Sequence, residues 1–238
     1  MRAELIKLRS LPTPRWLAGV ALVFVLLGLA ATLRWGPGPD LVAVELSIAF
    51  PTSVLSVLFG AWLFGVEFGQ GTISWCLTGD PRRGVLILRK LLFGLLAVGL
   101  FTALLYLVSF TFFDLASRQH SGAIGSGDYL EIAVSSVLAN FAFMVVGMAF
   151  SLITASMGGG ITLALIFLFV LSTAISAVPG LGDWSFLAAL ADLEEGLGLD
   201  DSGVAGGGPT GRAAAIFIGW PLLLMLIGWI RFRRSEVR

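Results

Sequence analysis

Residues 85–113 read VLILRKLLFGLLAVGLFTALLYLVSFTFF, and this stretch decides the fold. Its only charges, Arg89 and Lys90, stand near its start, and Leu91 to Phe113 carries none. A bilayer core about 30 Å thick is crossed by roughly 20 apolar residues of helix. Five more runs of comparable length flank it, at 16–33, 41–66, 129–155, 160–178 and 213–230. Glu45 lies near the start of the run at 41–66, and Glu131 at the entry of the run at 129–155. Backbone N–H and C=O groups find no water in hydrocarbon, so each run reads as a helix. Strands of a membrane barrel would alternate apolar and polar over about ten residues, and these runs do not.

The composition agrees. The 238 residues are 57% hydrophobic and 13% charged, with mean hydropathy +0.96. Soluble domains carry about 25% charged residues, so the chain has too little polar surface to cover a water-facing globule. The expectation is an all-α integral membrane protein with six transmembrane helices. It forms one transmembrane domain over 1–238, preceded by a lead-in over 1–14. Cys76 is the single cysteine, which excludes an internal disulfide and a multi-cysteine metal site.

The run at 16–33 follows Arg2, Lys7, Arg9 and Arg15 and ends near Ala30 and Ala31, an arrangement that a signal peptide shares. Its apolar stretch exceeds the roughly 7–15 residues of a signal core, which favours an uncleaved span.

Lys and Arg in the connections set orientation. Both termini and the connection at 67–84, with the entry to the third run, hold Arg2, Lys7, Arg9, Arg15, Arg82, Arg83, Arg89, Lys90, Arg231, Arg233, Arg234 and Arg238. The opposite side holds only Arg34, Arg118 and Arg212. The expectation is a multi-pass protein of the plasma (inner) membrane with both termini cytoplasmic.

The connections differ in character. Residues 34–40 are rich in Gly and Pro, 114–128 are polar, and an inner turn is expected at 157–160. The outer segment 179–212 mixes Trp184, Phe186, Leu187, Leu190 and Leu193 with acids. That spacing suits a short amphipathic helix at 183–197 lying on the outer interface. A Gly-rich tip follows at 196–211.

Two basic segments stand out. Arg2 to Arg9 reads RAELIKLR, which suits either a helix lying on the inner surface or an ordinary basic flank, with Pro12 and Pro14 breaking it before the first span. In the connection after 41–66, Gly69 and Gly71 end the second span and Thr72 can cap a short helix at 72–77. Gly79-Asp80-Pro81 stops that helix. Trp75 and Leu77 need a partner or the membrane surface, and an interfacial loop with an aromatic anchor also fits.

Chemistry is otherwise sparse. His120 is the only histidine, there is no G-x-S-x-G, and His and Cys do not cluster, so no enzyme is expected. No G-x-x-x-x-G-K-[ST] is present to cradle ATP. Ion-coupled carriers hold charges inside their spans, and none is expected here near a span's centre. The buried polar residues are small or hydroxylic, which mostly means close helix packing. Asn140 is the strongest cavity candidate, because an amide is costly in lipid. Ser136 and Thr173 accompany it as substrate-pathway candidates, and a largely apolar cavity would suit a lipophilic or amphipathic substrate. Pro51 is expected to kink the second span.

Glu67-Phe68, Gly71-Thr72-Ile73, Leu77, Pro81-Arg82-Arg83 and Lys90, with Glu4 to Arg9, resemble the motifs of type-two ABC transporter permeases. The layout of the whole chain is similar to theirs, while the specific matches are confined to 4–9 and 67–90. Asp80 departs from the small or apolar residue common before the proline. The resemblance implies the permease subunit of an ABC exporter, working as a dimer with a second permease half, identical or related. Each half would dock a cytoplasmic ABC ATPase that carries ATP and Mg. The coupling residues it implies are Glu67, Thr72, Ile73, Trp75, Leu77, Arg82 and Arg83. Trp75 and Leu77 would anchor the ATPase, Arg82 and Arg83 would meet its acids, and Glu67 would hold the loop's base. Membrane lipid is the other expected partner, and nucleic acid is not one. A passive channel or structural scaffold is the alternative.

Overall fold

The computed structural model describes residues 12–35, 41–72, 83–117, 126–196 and 210–234. Every regular element among them is helical. The order is α1 (Pro12–Trp35), α2 (Leu41–Gly69), α3 (Arg83–Ser117), α4 (Ser126–Thr154), α5 (Met157–Leu165), a π-helical segment (Ile166–Leu171) and α6 (Ser172–Ser176). A 3-10 turn (Gly182–Trp184), α7 (Phe186–Gly196) and α8 (Thr210–Arg234) follow. Five stretches are long and apolar enough to cross a membrane: Ile48–Gly69, Arg83–Thr111, Ile132–Thr154, Met157–Ser176 and Gly211–Arg234. The first expected span falls in α1, whose apolar stretch Arg15–Gly28 is shorter than these.

The chain divides into two compact units. The first comprises Met1–Ser56 and Leu92–Phe141, and the second Val57–Leu91 and Ala142–Arg238.

In the first unit, α3 and α4 are tied by polar pairs whose register is antiparallel. Asn140 Nδ2 donates to Thr102 Oγ1 at 3.2 Å, and one turn away Tyr106 OH and Ser136 Oγ lie 2.5 Å apart. All four side chains are buried. Pro51 stands inside α2. Around it Thr52 Oγ1 donates to the carbonyls of Ile48 (2.7 Å) and Ala49 (3.0 Å), and Ser56 Oγ to that of Thr52 (2.7 Å). These hydroxyls keep their hydrogen bonds inside the helix, where lipid offers no partner.

In the second unit, glycines let helix backbones touch. A Cβ on Gly60 would stand 2.0 Å from the Met144 carbonyl oxygen, and one on Gly147 would stand 2.1 Å from that of Val57. Without a hydrophobic force between helices in lipid, such close approach supplies the packing energy. A core of Phe64, Ile87, Met148, Leu152 and Phe232 forms at one place. An aromatic group forms at another, where Phe186 stacks on Phe217 (5.0 Å) and meets Phe143 edge-on (5.5 Å).

Four expectations are corrected. Pro12 and Pro14 do not precede the first helix. They lie in the first turn of α1, where a missing N–H leaves no bond unmade. The turn expected at 157–160 is at Ala155 and Ser156, with Ala155 at φ 52°, and 157–160 opens α5. Gly160 is there for packing: a Cβ on it would sit 2.7 Å from Ser151 Cα. The fifth expected span is not one regular α-helix, since Ile166–Leu171 winds as a π-helix. Finally, the helix expected at 183–197 begins at Phe186 and packs its apolar face inward, burying Phe186 and Ala189 against α8 and its surroundings.

Candidate functional site

The resemblance to a permease falls on the connection between α2 and α3, and the described residues form its base. The end of α2 is closed by a left-handed cap. Gly71 has φ 64°, its N–H donates to the Phe68 carbonyl (3.3 Å), and the Thr72 N–H donates to that of Glu67 (3.0 Å). This paired bonding is the Schellman arrangement, and it is why a glycine stands before Thr72. Thr72 therefore belongs to the exit from α2.

Three residues back along α2 from the cap's Gln70, Glu67 turns inward. Its Oε1 lies 2.8 Å from Lys90 Nζ, on the second turn of α3. Both side chains are 1% exposed. Lys90 Nζ also donates to the Leu63 carbonyl at 2.5 Å and lies 4.9 Å from the centre of the Phe64 ring. An isolated buried charge is prohibitive, and pairing, a carbonyl and an aromatic face together make this one tolerable. The pair sits beside the core that Phe64 shares with Ile87 and Phe232.

Arg83, the first residue of α3, joins this base to α8. Its guanidinium donates to the carbonyls of Phe232 and Arg233 (3.1 Å for the latter) and lies 5.3 Å from the Phe232 ring centre. Those carbonyls belong to the last turn of α8, where the helix presents unmatched acceptors and its negative pole. Phe232 meets Phe64 and Phe68 edge-on, each at 6.2 Å. Two helix ends and the start of a third thus converge on one buried cluster.

Of the coupling residues read from sequence, Glu67, Thr72 and Arg83 fall in this base. Ile73, Trp75, Leu77 and Arg82 lie outside the described residues, as do the lead-in at 1–11 and the Gly-rich tip at 197–209. The resemblance gives Arg83 to a partner's acids. In the chain it caps α8. Sequence reasoning did not name Phe64 and Phe232 as site residues. Nothing local marks Phe232, because it meets Arg83 only through the packing of helices distant in the chain.

The pathway candidates fall in both units. Asn140 and Ser136 lie in the first unit, held by Thr102 and Tyr106. Thr173 lies in the second unit, is exposed, and its carbonyl accepts from Ser176 Oγ at 2.8 Å. Sequence reasoning also passed over Ser185. Its Oγ donates to the Ser172 carbonyl (2.8 Å) at the mouth of α7, while Ser172 Oγ accepts from the Leu187 N–H (3.0 Å). A serine directly before an apolar helical run was the available signal. Among the described residues no group of three or more His, Cys, Asp or Glu could hold a metal ion.

No curated protein matches the chain. A family model matches residues 42–238, which include the α2–α3 connection, all of α8 and both polar pairs of the first unit. By that match, over most of its length, the chain belongs to the family described as DUF2705, a protein of unknown function.

Proposed function

We propose that this protein is the membrane-spanning permease subunit of an ATP-driven exporter, forming a substrate pathway as a dimer and driven by separate cytoplasmic ATPase subunits. On this reading α1 is a sixth span. Its 24 residues would extend about 36 Å at 1.5 Å per residue, enough for the hydrocarbon core. The basic bias of the connections puts both termini and the α2–α3 connection in the cytoplasm.

The observation that carries the proposal is the clamped base of that connection. A segment that transmits force from a motor into helices must be fixed rigidly where it enters them. Glu67–Lys90 locks α2 to α3, Gly71 sets the exit angle, and Arg83 ties the return to α8. The resemblance of 67–90 to permease coupling loops supplies the partner. Ile73, Trp75 and Leu77 are then the surface that the ATPase grips, with Arg82 beside them. ATP and Mg are held by that partner. A largely apolar pathway would suit a lipophilic or amphipathic cargo.

The test is co-purification with a co-expressed ATPase, followed by ATPase assays in vesicles. Trp75→Asp with Leu77→Asp is expected to abolish complex formation and coupled hydrolysis while membrane insertion persists. A complex and coupling unchanged in that variant would overturn the assignment. Ion conductance by the purified chain alone would favour a passive channel instead.

A further inference from the structure

The last two turns of α8 carry a surface feature that neither the spans nor the coupling base uses. Ile227, Ile230, Arg231 and Arg234 line an open groove of about 660 Å³. Their spacing of three, one and three residues puts them on one stripe of the helix. All four are exposed, so the stripe is not spent on the protein's own core. The opposite side of the same turns is occupied. Phe232 is buried, its carbonyl is bonded by Arg83, and Arg233 lies 5.3 Å from the ring centre of the half-buried Trp229. The groove is therefore a separate face with its own composition, apolar toward the span and doubly cationic toward the helix end.

That order matches one ligand class. The isoleucines belong to a helix long and apolar enough to cross a membrane, and Trp229 beside them is of a residue type favoured where spans meet headgroups. With α8 across a bilayer, the two guanidiniums nearer the helix end would come within reach of lipid phosphates, and each offers a fork of donors to phosphate oxygens. No acidic side chain lines the groove among the described residues to neutralise them. We infer that Ile227, Ile230, Arg231 and Arg234 form a binding site for an anionic phospholipid, with the phosphate on the two arginines and an acyl chain along the isoleucines. A zwitterionic lipid presents its own cation beside the phosphate and binds there more weakly. Free phosphate lacks the chain that the groove holds. The inference requires only that α8 spans the membrane, so it stands apart from any ATPase partner.

The test uses the full chain, delipidated in detergent and titrated with phosphatidylglycerol, phosphatidylcholine or inorganic phosphate. Retained lipid is counted by native mass spectrometry and melting followed in parallel. Phosphatidylglycerol is expected to bind in preference to phosphatidylcholine, and inorganic phosphate to give no comparable protection. Arg231→Gln with Arg234→Gln is expected to weaken phosphatidylglycerol binding by about twenty-five-fold, from about fivefold for each cation near an anionic surface. Arg212→Gln, at the other end of α8, serves as the control and is expected to leave binding unchanged. Equal binding of the two lipids, an unaffected double variant, or protection by phosphate alone would each overturn the inference.

Discussion

Lys90 Nζ lies 2.8 Å from Glu67 Oε1, and both side chains are withdrawn from the surface. The pair joins the last turns of α2 to the first turns of α3 across the connection that the proposed motor would grip. Replacing one partner leaves the other buried and uncompensated, which costs about 3–5 kcal/mol. Glu67→Gln and Lys90→Met are each expected to lower the melting midpoint of the purified protein sharply. The double variant Glu67→Leu with Lys90→Met is expected to recover most of the loss, because a well-packed apolar pair replaces the ions. A double variant as unstable as the sum of the singles would show that the two residues act independently.

Gly71 occupies the left-handed region at φ 64°, and nothing lies within 4 Å of where its Cβ would be. Any cost of Gly71→Ala is therefore conformational, about 1–2 kcal/mol. Gly71→Asn is expected to cost less, since asparagine tolerates that region. Gly69→Ala, on the right-handed helix with the same open space, is expected to be neutral or to stabilise by up to about 1 kcal/mol. Denaturant titration of the three variants would separate these effects.

Gly60 and Gly147 show the opposite cause. Each would drive a methyl group into a backbone carbonyl, at 2.0 and 2.1 Å. Gly60→Ala or Gly147→Ala is expected to cost about 1–3 kcal/mol through forced separation of the helices. Gly219→Ala on α8 meets nothing within 4 Å and is expected to fold at wild-type yield. Fluorescence-detected size exclusion of the three would rank them.

Arg83 bonds two carbonyls at the end of α8 with one planar guanidinium. Arg83→Gln is expected to destabilise by about 1.5–3 kcal/mol, the range for hydrogen bonds from a charged donor. Arg83→Lys is expected to recover little, because a single ammonium does not match a forked contact over an aromatic ring. Faster hydrogen exchange in the last turn of α8 would report the loss at its source.

Tyr106 and Ser136 form one rung between α3 and α4, and Thr102 and Asn140 the next. Hydrogen bonds between membrane helices are modest, averaging about 0.6 kcal/mol in double-mutant cycles. A cycle of Tyr106→Phe and Ser136→Ala is expected to give a coupling near that size. A coupling near zero would mean that the contact is incidental to helix pairing.

The sequence by itself determined that this chain is helical and where its long apolar helices run. The reason is local: every peptide group in hydrocarbon must bond within its own segment, so a run such as 91–113 has one solution wherever it packs. It also marked Glu67, Thr72 and Arg83, because charges and turn residues beside apolar runs are visible without coordinates. The tertiary structure decided what those residues touch. Arg83 reaches Phe232 and Lys90 reaches Glu67 only because the helices pack in one register, and no local pattern records that register. The same holds for Gly160, which looks like part of a turn in sequence and proves to be where α5 packs against Ser151. It holds too for Phe186, whose amphipathic helix could rest on a membrane until Phe217 and Phe143 give its ring a better place. Which face a helix buries depends on what stands opposite, and only the folded chain supplies that.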